Sequence, residues 1–297
     1  MLRSVKAAWS VFRRDGAQVL RGKLLRRARL YQTRRLYEQW IAQHDTLTDA
    51  DRRQARRNIT SFSLRPLISV LMPVYNTDAN VLRKAVESVR GQIYENWELC
   101  IADDCSTRPH VREILDEYAS IDPRIKVVYR EKNGHISAAS NSALEIVTGK
   151  FTALLDHDDI LAEQALYFVA KELDAHSESD IIYSDEDKID ESGRRYEPFF
   201  KPDWSPDLLM SVNYVNHLTV YRTSLLRDTG GFRAGFEGSQ DYDVLLRVVE
   251  RTRAEKIRHI PKILYHWRAV AGSVAHAADE KPYAHERARK AIAEHLE

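Results

Sequence analysis

The sequence predicts an α/β protein built on a mostly parallel sheet sandwiched by helices. Three observations predict it. Short, largely apolar runs recur at Leu67–Met72, Trp97–Ala102, Ile125–Tyr129 and Phe151–Leu155, and runs of this kind suit strands buried on both faces. Helix-period stretches over 81–89, 111–118 and 138–147 alternate with them, and such alternation gives parallel strands joined by helical crossovers. Polar residues gather where three of the runs stop, at Pro73-Val74-Tyr75-Asn76, Asp103-Asp104-Cys105-Ser106 and Asp156-His157-Asp158-Asp159. Those places are the carboxyl ends of strands, where open α/β sheets bind ligands.

After Asp159 the alternation loosens. The pattern predicts a helix over 161–173, a strand over 181–184 followed by an acidic turn at Asp185-Glu186-Asp187, and a strand over 212–221. A helix over 241–250, a strand over 257–265 and a terminal helix over 284–296 complete the order.

Composition bounds the class. With 43% hydrophobic and 9% aromatic residues in 297, the chain has ample apolar surface for a core and is not a disordered tail. Two cysteines exclude a disulfide-stapled module. Cys100 and Cys105 read as reduced thiols of a cytosolic protein. No run approaches the ~18 apolar residues that span a bilayer. One large domain with an appendage fits the length.

The net charge of +1 conceals a division. Residues 1–35 carry eleven Lys and Arg against one acid, Asp15, which gives +10 and leaves −9 on residues 36–297. Residues 2–41 read as a helix, broken near Gly16 and Gly22, with Leu2, Val5, Trp9, Phe12, Val19, Leu20, Leu24 and Leu25 at three-to-four spacing. Such an arm suits an anionic membrane surface, a partner subunit, or the chain's own acidic body. It lacks the apolar core of a secretory signal. No nucleic-acid-binding motif accompanies it, so nucleic acid is not an expected partner. Thr48 caps a short helix through Arg57, and 61–66 reads as a linker.

The acids carry the chemistry. Asp156 and Asp158 repel each other unless neutralised, and a hard cation such as Mn²⁺ or Mg²⁺ neutralises them while leaving positions open for phosphate oxygens. The same acids also suit the start of the 161–173 helix, where they complement its dipole. Asp103-Asp104 fits an Asx turn, or a carboxylate accepting from a nucleobase or ribose. Tyr75 fits a base-stacking residue or an aromatic lying over the sheet edge. Asp241 opens a downstream helix: it is a general base if folded towards the cation, and a helix cap otherwise. Gly-x-Gly-x-x-Gly after a strand, a phosphate-binding Gly-x-x-x-x-Gly-Lys loop, a Gly-x-Ser-x-Gly elbow and zinc-spaced Cys–His clusters are all missing from the sequence. Dinucleotide binding, P-loop chemistry, α/β-hydrolase chemistry and structural zinc are therefore disfavoured.

Pro66 to Asn76, Ile101 to Ser106, Leu154 to Asp159, Gly230-Gly231-Phe232 and Gln240-Asp241 together resemble the glycosyltransferase family 2 pattern over about residues 66–273. Ile136 to Asn141 and Tyr265-His266-Trp267-Arg268 are similar to members that assemble bacterial surface polysaccharide and O-antigen. The resemblance implies a GT-A fold at 61–275, with a basic helical extension at 1–60 and a C-terminal helix at 276–297 packed on the domain. It implies inverting transfer from a nucleoside diphosphate sugar to a glycan or lipid-linked acceptor, in the cytoplasm or at the inner face of the plasma membrane.

Carried over, Pro73, Tyr75, Asp103 and Asp104 face the nucleoside. Asn141, His157 and Arg268 contact the nucleotide sugar together with Asp156. Asp156, Asp158 and His266 hold the Mn²⁺ or Mg²⁺, and Asp241 is the catalytic base. Gln240 stands where the family often has an acid. Trp204, His217 and Gln240 lie in the part that faces the acceptor, and Trp204 suits either a sugar platform or the core. Two alternatives remain at this point. A sugar-nucleotide pyrophosphorylase-like enzyme shares a related fold but opens with a Gly-rich basic loop, where this chain has Pro73-Val74-Tyr75-Asn76. A non-catalytic glycan-binding or scaffold protein is disfavoured by the presence of Asp104, Asp156, Asp158 and Asp241.

Overall fold

The computed structural model describes residues 31–268 and 282–297, together with 18, 19, 21, 22, 25 and 26. The chain divides into two compact units, 1–46 and 47–297. In the first, residues 31–44 form helix α1; Tyr37 stacks on Trp40 and Trp40 meets His44, both at 5.8 Å between ring centroids. These pairs sit three and four residues apart, on one helix face. The rest of the helix expected over 2–41 falls largely outside the described residues. No helix among the described residues is long and apolar enough to cross a membrane.

The second unit starts with helix α2 (Asp49–Ser61), capped reciprocally by Thr48 and Asp51. Arg52 pairs with Glu163 at 2.8 Å, Asn58 donates to the Tyr167 hydroxyl at 2.8 Å, and Phe62 stacks on Tyr167. The helix that the sequence grouped with the extension is thus part of the body.

Among the described residues, nine strands form one sheet in the order β3-β2-β1-β4-β8-β6-β9-β5, with β7 on β6. Strands β1 (Ile68–Val74), β2 (Trp97–Asp103), β3 (Ile125–Tyr129) and β4 (Phe151–Leu154) are all parallel. Helices α3 (Ala79–Arg90), α4 (Pro109–Ile121) and α5 (His135–Glu145) join them in turn. All seven residues of β1 are buried, because both faces are covered. Val70 and Met72 pack with Leu82 and Val86 of α3 and Ile114 of α4. Leu71 points the other way, into a second cluster with Ala139 and Ala143 of α5. The apolar run therefore encodes a central strand. β1 lies between β2 and β4, so the chain reverses its direction of winding there and opens a crevice at the strands' carboxyl ends.

The other half is mixed. β8 (Thr219–Arg222) is antiparallel to β4 and β6 (Ile181–Ile189); β9 (Ile257–Arg268) runs parallel to β6. Three sequence expectations change here. The helix expected from residue 161 begins later, as α6 (Ala165–Ala175), because Ile160–Leu161 forms a short strand, β5, paired with Tyr265 and His266 of β9. Its N-cap is Gln164, so Asp156 to Asp159 do not cap it. Asp185-Glu186-Asp187 is not a turn: β6 continues through it, bulging between Ser184 and Glu186, to pair with β7 (Arg195–Phe199). Only 219–222 of the strand expected over 212–221 pairs; residues 210–218 connect it to α7 (Pro206–Leu209). Helices α8 (Thr223–Asp228), α9 (Gln240–Val249) and α10 (Pro282–Leu296) complete the body, α10 burying Ala291 in the second cluster.

A buried carboxylate fixes the entry to β4. Glu98 is 4% exposed and accepts from Ser69 (2.5 Å), Lys126 (2.6 Å) and the backbone N–H groups of Thr148 (2.6 Å) and Gly149 (3.0 Å). Burial alone raises its pKa, but Lys126, Ser69 and Thr148 outweigh it and hold the group at about 2. Because the folded value is depressed, the stabilisation is complete above the ordinary value of 4.5 and is lost as pH falls towards 2. Glu98→Gln is expected to lower stability by about 3 kcal/mol at neutral pH. It should also flatten the acid side of the stability profile, read by urea unfolding from pH 7 to 3; an unchanged profile would refute the role.

Candidate functional site

The crevice is built from the loops that follow β1, β2 and β4. After β1, Asn76 adopts φ 49° and its Oδ1 accepts from the backbone N–H of Thr107 (2.8 Å) and Arg108 (3.1 Å), tying the first loop to the second. Pro73 is buried opposite Ala102, and Tyr75 stands 44% exposed at the rim. Asn76, Cys105 and Asn216 hold positive φ in loops of this unit, and His135 does so at the first position of α5. Non-glycine residues in that region mark backbone constrained for a purpose beyond chain reversal.

The two acids after β2 divide their work. Asp104 Oδ1 accepts from Arg130 Nε (2.8 Å) and Gly134 N (3.0 Å), which anchors the start of α5. Asp103 gives one oxygen to Ser106 N at 3.2 Å, while its Oδ1 is buried with no hydrogen-bond partner. A buried acceptor without a donor costs free energy, so Asp103 rather than Asp104 presents the unmet valence for a ligand.

After β4, Asp156, Asp159 and His217 each offer a ligand atom, all within 4.8 Å of one another. Asp159 is fully buried; its oxygens accept from the Tyr265 hydroxyl (2.6 Å) and the Arg268 backbone N–H (2.7 Å). Burial, then the charges of Asp158 and Asp156, push its pKa well above the ordinary carboxylate value. The Asp158 carbonyl accepts from Arg268 Nε at 2.8 Å, and its carboxylate lies 3.9 Å from His157 Nδ1. Arg268 Nη2 and His157 Nδ1 are buried without partners. Two carboxylates, an imidazole and an unpaired guanidinium nitrogen form a donor set that fits a hard divalent cation beside an anion.

His266, expected with Asp156 and Asp158, is not brought to that group. Its Nδ1 lies 2.5 Å from Asp187 Oδ1, and Asp187 in turn pairs with Arg195. The cause is strand alternation: Tyr265 and Trp267 project to one face of β9 and meet His217, while His266 projects to the other. His217, expected near the acceptor, supplies the imidazole instead.

Asp241 stands in the first turn of α9, where Asn213 Nδ2 donates to its Oδ2 at 2.7 Å. Burial pushes its pKa up, nearby His217 pulls it down and Asp156 raises it again. His217 and Asp156 thus lie near enough to Asp241 to act on its charge. Gln240 turns back to accept from Gly238 N at 2.7 Å. Asn141 uses both amide atoms on the backbone of Phe232 (2.7 and 2.9 Å). Gly231, at φ +65°, has no room for a side chain there because a β-carbon would collide with Asn141. Trp204 is half-buried against Tyr214 in the second cluster.

Three supporting groups escape the sequence pattern. Asn213 carries no motif, and Tyr265 lies in the family-like stretch Tyr265-His266-Trp267-Arg268 with no role assigned to it there. Lys201 is completely buried and donates to Glu186 (3.1 Å), to the carbonyl of Val215 (2.9 Å) and to that of His217. Glu186 also accepts the His217 N–H at 3.1 Å, so this pair holds the backbone that presents the imidazole. Burial lowers the lysine pKa and Glu186 opposes that shift. Three consecutive acids on a strand are a signal that buried counter-charges must lie nearby.

Residues 69–230, more than half of the chain, match the family model described as Glycosyl transferase family 2. The chain belongs to glycosyltransferase family 2. Among similar family 2 and other sequences, an uncharacterized protein of Sinorhizobium fredii is 56% identical over 78% of this chain and 25% of its own length. The O-antigen biosynthesis protein RfbC of Myxococcus xanthus is 40% identical over 82% of this chain and 19% of its own. The chain thus spans a fifth to a quarter of these relatives. Two solved structures share the fold. Staphylococcus aureus TarS in complex with UDP-GlcNAc has a TM-score of 0.62 at 22% identity, covering 77% of this chain and 66% of that one. A mannosyltransferase of Pyrobaculum calidifontis in complex with GDP-Man and Mn²⁺ has a TM-score of 0.55 at 18% identity, covering 91% and 71%. The sheet is therefore that of the GT-A glycosyltransferases.

The Lys201–Glu186 pair supports this family 2 site from below. Lys201→Met leaves a buried carboxylate unpaired and is expected to cost about 3–5 kcal/mol in denaturant unfolding. Lys201→Met with Glu186→Leu should recover much of that loss. A neutral single substitution would show that the pair does not hold the loop.

Proposed function

We propose that this chain is an inverting, divalent-cation-dependent glycosyltransferase. It moves a sugar from a nucleoside diphosphate donor to a glycan or lipid-linked acceptor in surface-polysaccharide assembly of the O-antigen type. The observation that carries this reading is the grouping of Asp156, Asp159 and His217 ligand atoms within 4.8 Å of one another, with Asp241 near enough to feel His217 and Asp156 and an unpaired Asp103 oxygen at the end of β2. The likeness to TarS with its UDP-GlcNAc and to the mannosyltransferase with GDP-Man and Mn²⁺ supports the donor class. The 40% identity to the O-antigen biosynthesis protein supports the pathway class.

Asp103 and the exposed Tyr75 ring receive the nucleoside, by accepting a hydrogen bond and by stacking. Asp156 and His217, with Asp158 beside them, hold Mn²⁺ or Mg²⁺, which when bound neutralises the diphosphate and the charge that develops on it. The free Nη2 of Arg268 offers a further donor to phosphate oxygen. Asp241 takes the proton of the acceptor hydroxyl as that oxygen attacks the anomeric carbon. The bond from that carbon to the diphosphate breaks, the nucleoside diphosphate leaves, and the single displacement inverts the centre. Asn213 fixes the Asp241 carboxylate for this step.

Asp241→Asn is expected to lower transfer by about 10²–10⁴-fold, with the thermal shift by nucleoside diphosphate and Mn²⁺ unchanged. The base works deprotonated and burial raises its pKa, so transfer should climb with pH through a limb above the ordinary carboxylate range. Full activity of Asp241→Asn, or no thermal shift of the native chain by any nucleoside diphosphate with Mn²⁺, would defeat the proposal.

The basic arm brings this chemistry to its acceptor by binding anionic lipid through residues 1–41. In vesicle flotation with anionic lipid, the whole chain should float and a chain starting at Leu47 should not. Equal flotation of the two would remove the arm from the proposal.

A further inference from the structure

One buried side chain touches all three members of the cation group. Tyr265 has no exposed surface. Its hydroxyl donates to Asp159 Oδ2 at 2.6 Å and accepts from the Asp156 backbone N–H at 3.2 Å. Its ring lies flat against His217, with centroids 4.5 Å apart and planes 13° apart. The direction of the hydrogen bonds is fixed, because the Asp156 N–H is a donor only and the phenol proton therefore goes to Asp159.

The same strand grips the loop twice more. Arg268 N donates to the other oxygen of Asp159, and Arg268 Nε donates to the Asp158 carbonyl. Residues 265–268 of β9 thus act as a template for residues 156–159. Three carboxylates within four residues repel one another, and left to itself the loop relaxes by spreading them. Both oxygens of Asp159 are already occupied by donors in a fully buried setting, whereas no described residue donates a hydrogen bond to the Asp156 carboxylate.

We infer that Tyr265 and Asp159 form a clasp that positions Asp156 and His217 for the cation, with Asp159 serving as an anchor rather than a ligand. This rests on the cation-dependent reading above. A histidine ligand is usually oriented through its second ring nitrogen. Here the ring plane is set by stacking on Tyr265, and the backbone by the Glu186 acceptor. Neither Tyr265 nor Asp159 needs to touch the reacting atoms to act in this way.

The test measures Mn²⁺ affinity of the whole chain directly, by electron paramagnetic resonance titration, alongside transfer at rising Mn²⁺. Binding by the native chain is the control; its failure counts against the cation-dependent reading and is separate from the clasp. Given that binding, Tyr265→Phe, which keeps the ring and removes the hydroxyl, is expected to weaken Mn²⁺ binding by about 10–100-fold. Excess Mn²⁺ should restore its kcat, a rescue that general damage to the fold would not allow. Asp159→Asn keeps an acceptor for the phenol and is expected to give a loss that excess Mn²⁺ also repairs; it carries the test if the Tyr265→Phe chain does not fold. Native Mn²⁺ affinity in Tyr265→Phe overturns the clasp. So does a loss in Asp159→Asn that equals Asp156→Asn and resists excess Mn²⁺, since Asp159 would then be a ligand.

Discussion

The crowding of carboxylates at one edge of the sheet is the constraint from which the rest of the molecule follows. Asp103, Asp104, Asp156, Asp158 and Asp159 stand at the ends of parallel strands, and Asp185 to Asp187 and Asp241 arrive from elsewhere in the chain. Each needs a donor or an opposite charge to stay in a low-dielectric setting. The fold meets most of these needs internally. Arg130 takes Asp104, Arg195 and His266 take Asp187, Lys201 takes Glu186, His259 takes Asp185, and Tyr265 with Arg268 takes Asp159. What is left after this matching among the described residues is a small remainder: one oxygen of Asp103, and the carboxylate of Asp156 beside His217. Asp241 accepts from the side-chain amide of Asn213. The candidate site is this remainder, gathered around one crevice.

Much of this is legible in the residues alone. Leu67 to Met72 reads as a central strand because a run apolar on both alternating faces has nowhere to lie except inside a doubly covered sheet, and β1 extends two residues beyond it, through Val74. The polar stretches after β1, β2 and β4 read as a site because parallel strands deliver their ends to one edge. Asp241 at a helix start is a candidate base through the family pattern alone, and the structure sets it in the first turn of α9.

The illegible part has a common physical origin, which is partnering between segments far apart in sequence. Ile160–Leu161 is too short to announce itself as a strand and exists because β9 offers it an edge. Asp185 to Asp187 looks like a turn until buried partners, Lys201 and His259 among them, let three acids remain on a strand. His217 and His266 cannot be ranked without knowing which face of β9 the second one occupies, since one step along a strand reverses a side chain. Asn141 reads as a polar ligand contact, yet its amide is consumed by the backbone of Phe232.

That last attachment has a mechanical meaning. Helix α5 begins at Gly134, where Asp104 anchors it next to the crevice, and at Asn141 it is bolted to the turn from which the chain runs on to Asp241. The loop after β2 and the turn before α9 are thus held to one another through a single helix, and one carboxamide makes its second attachment.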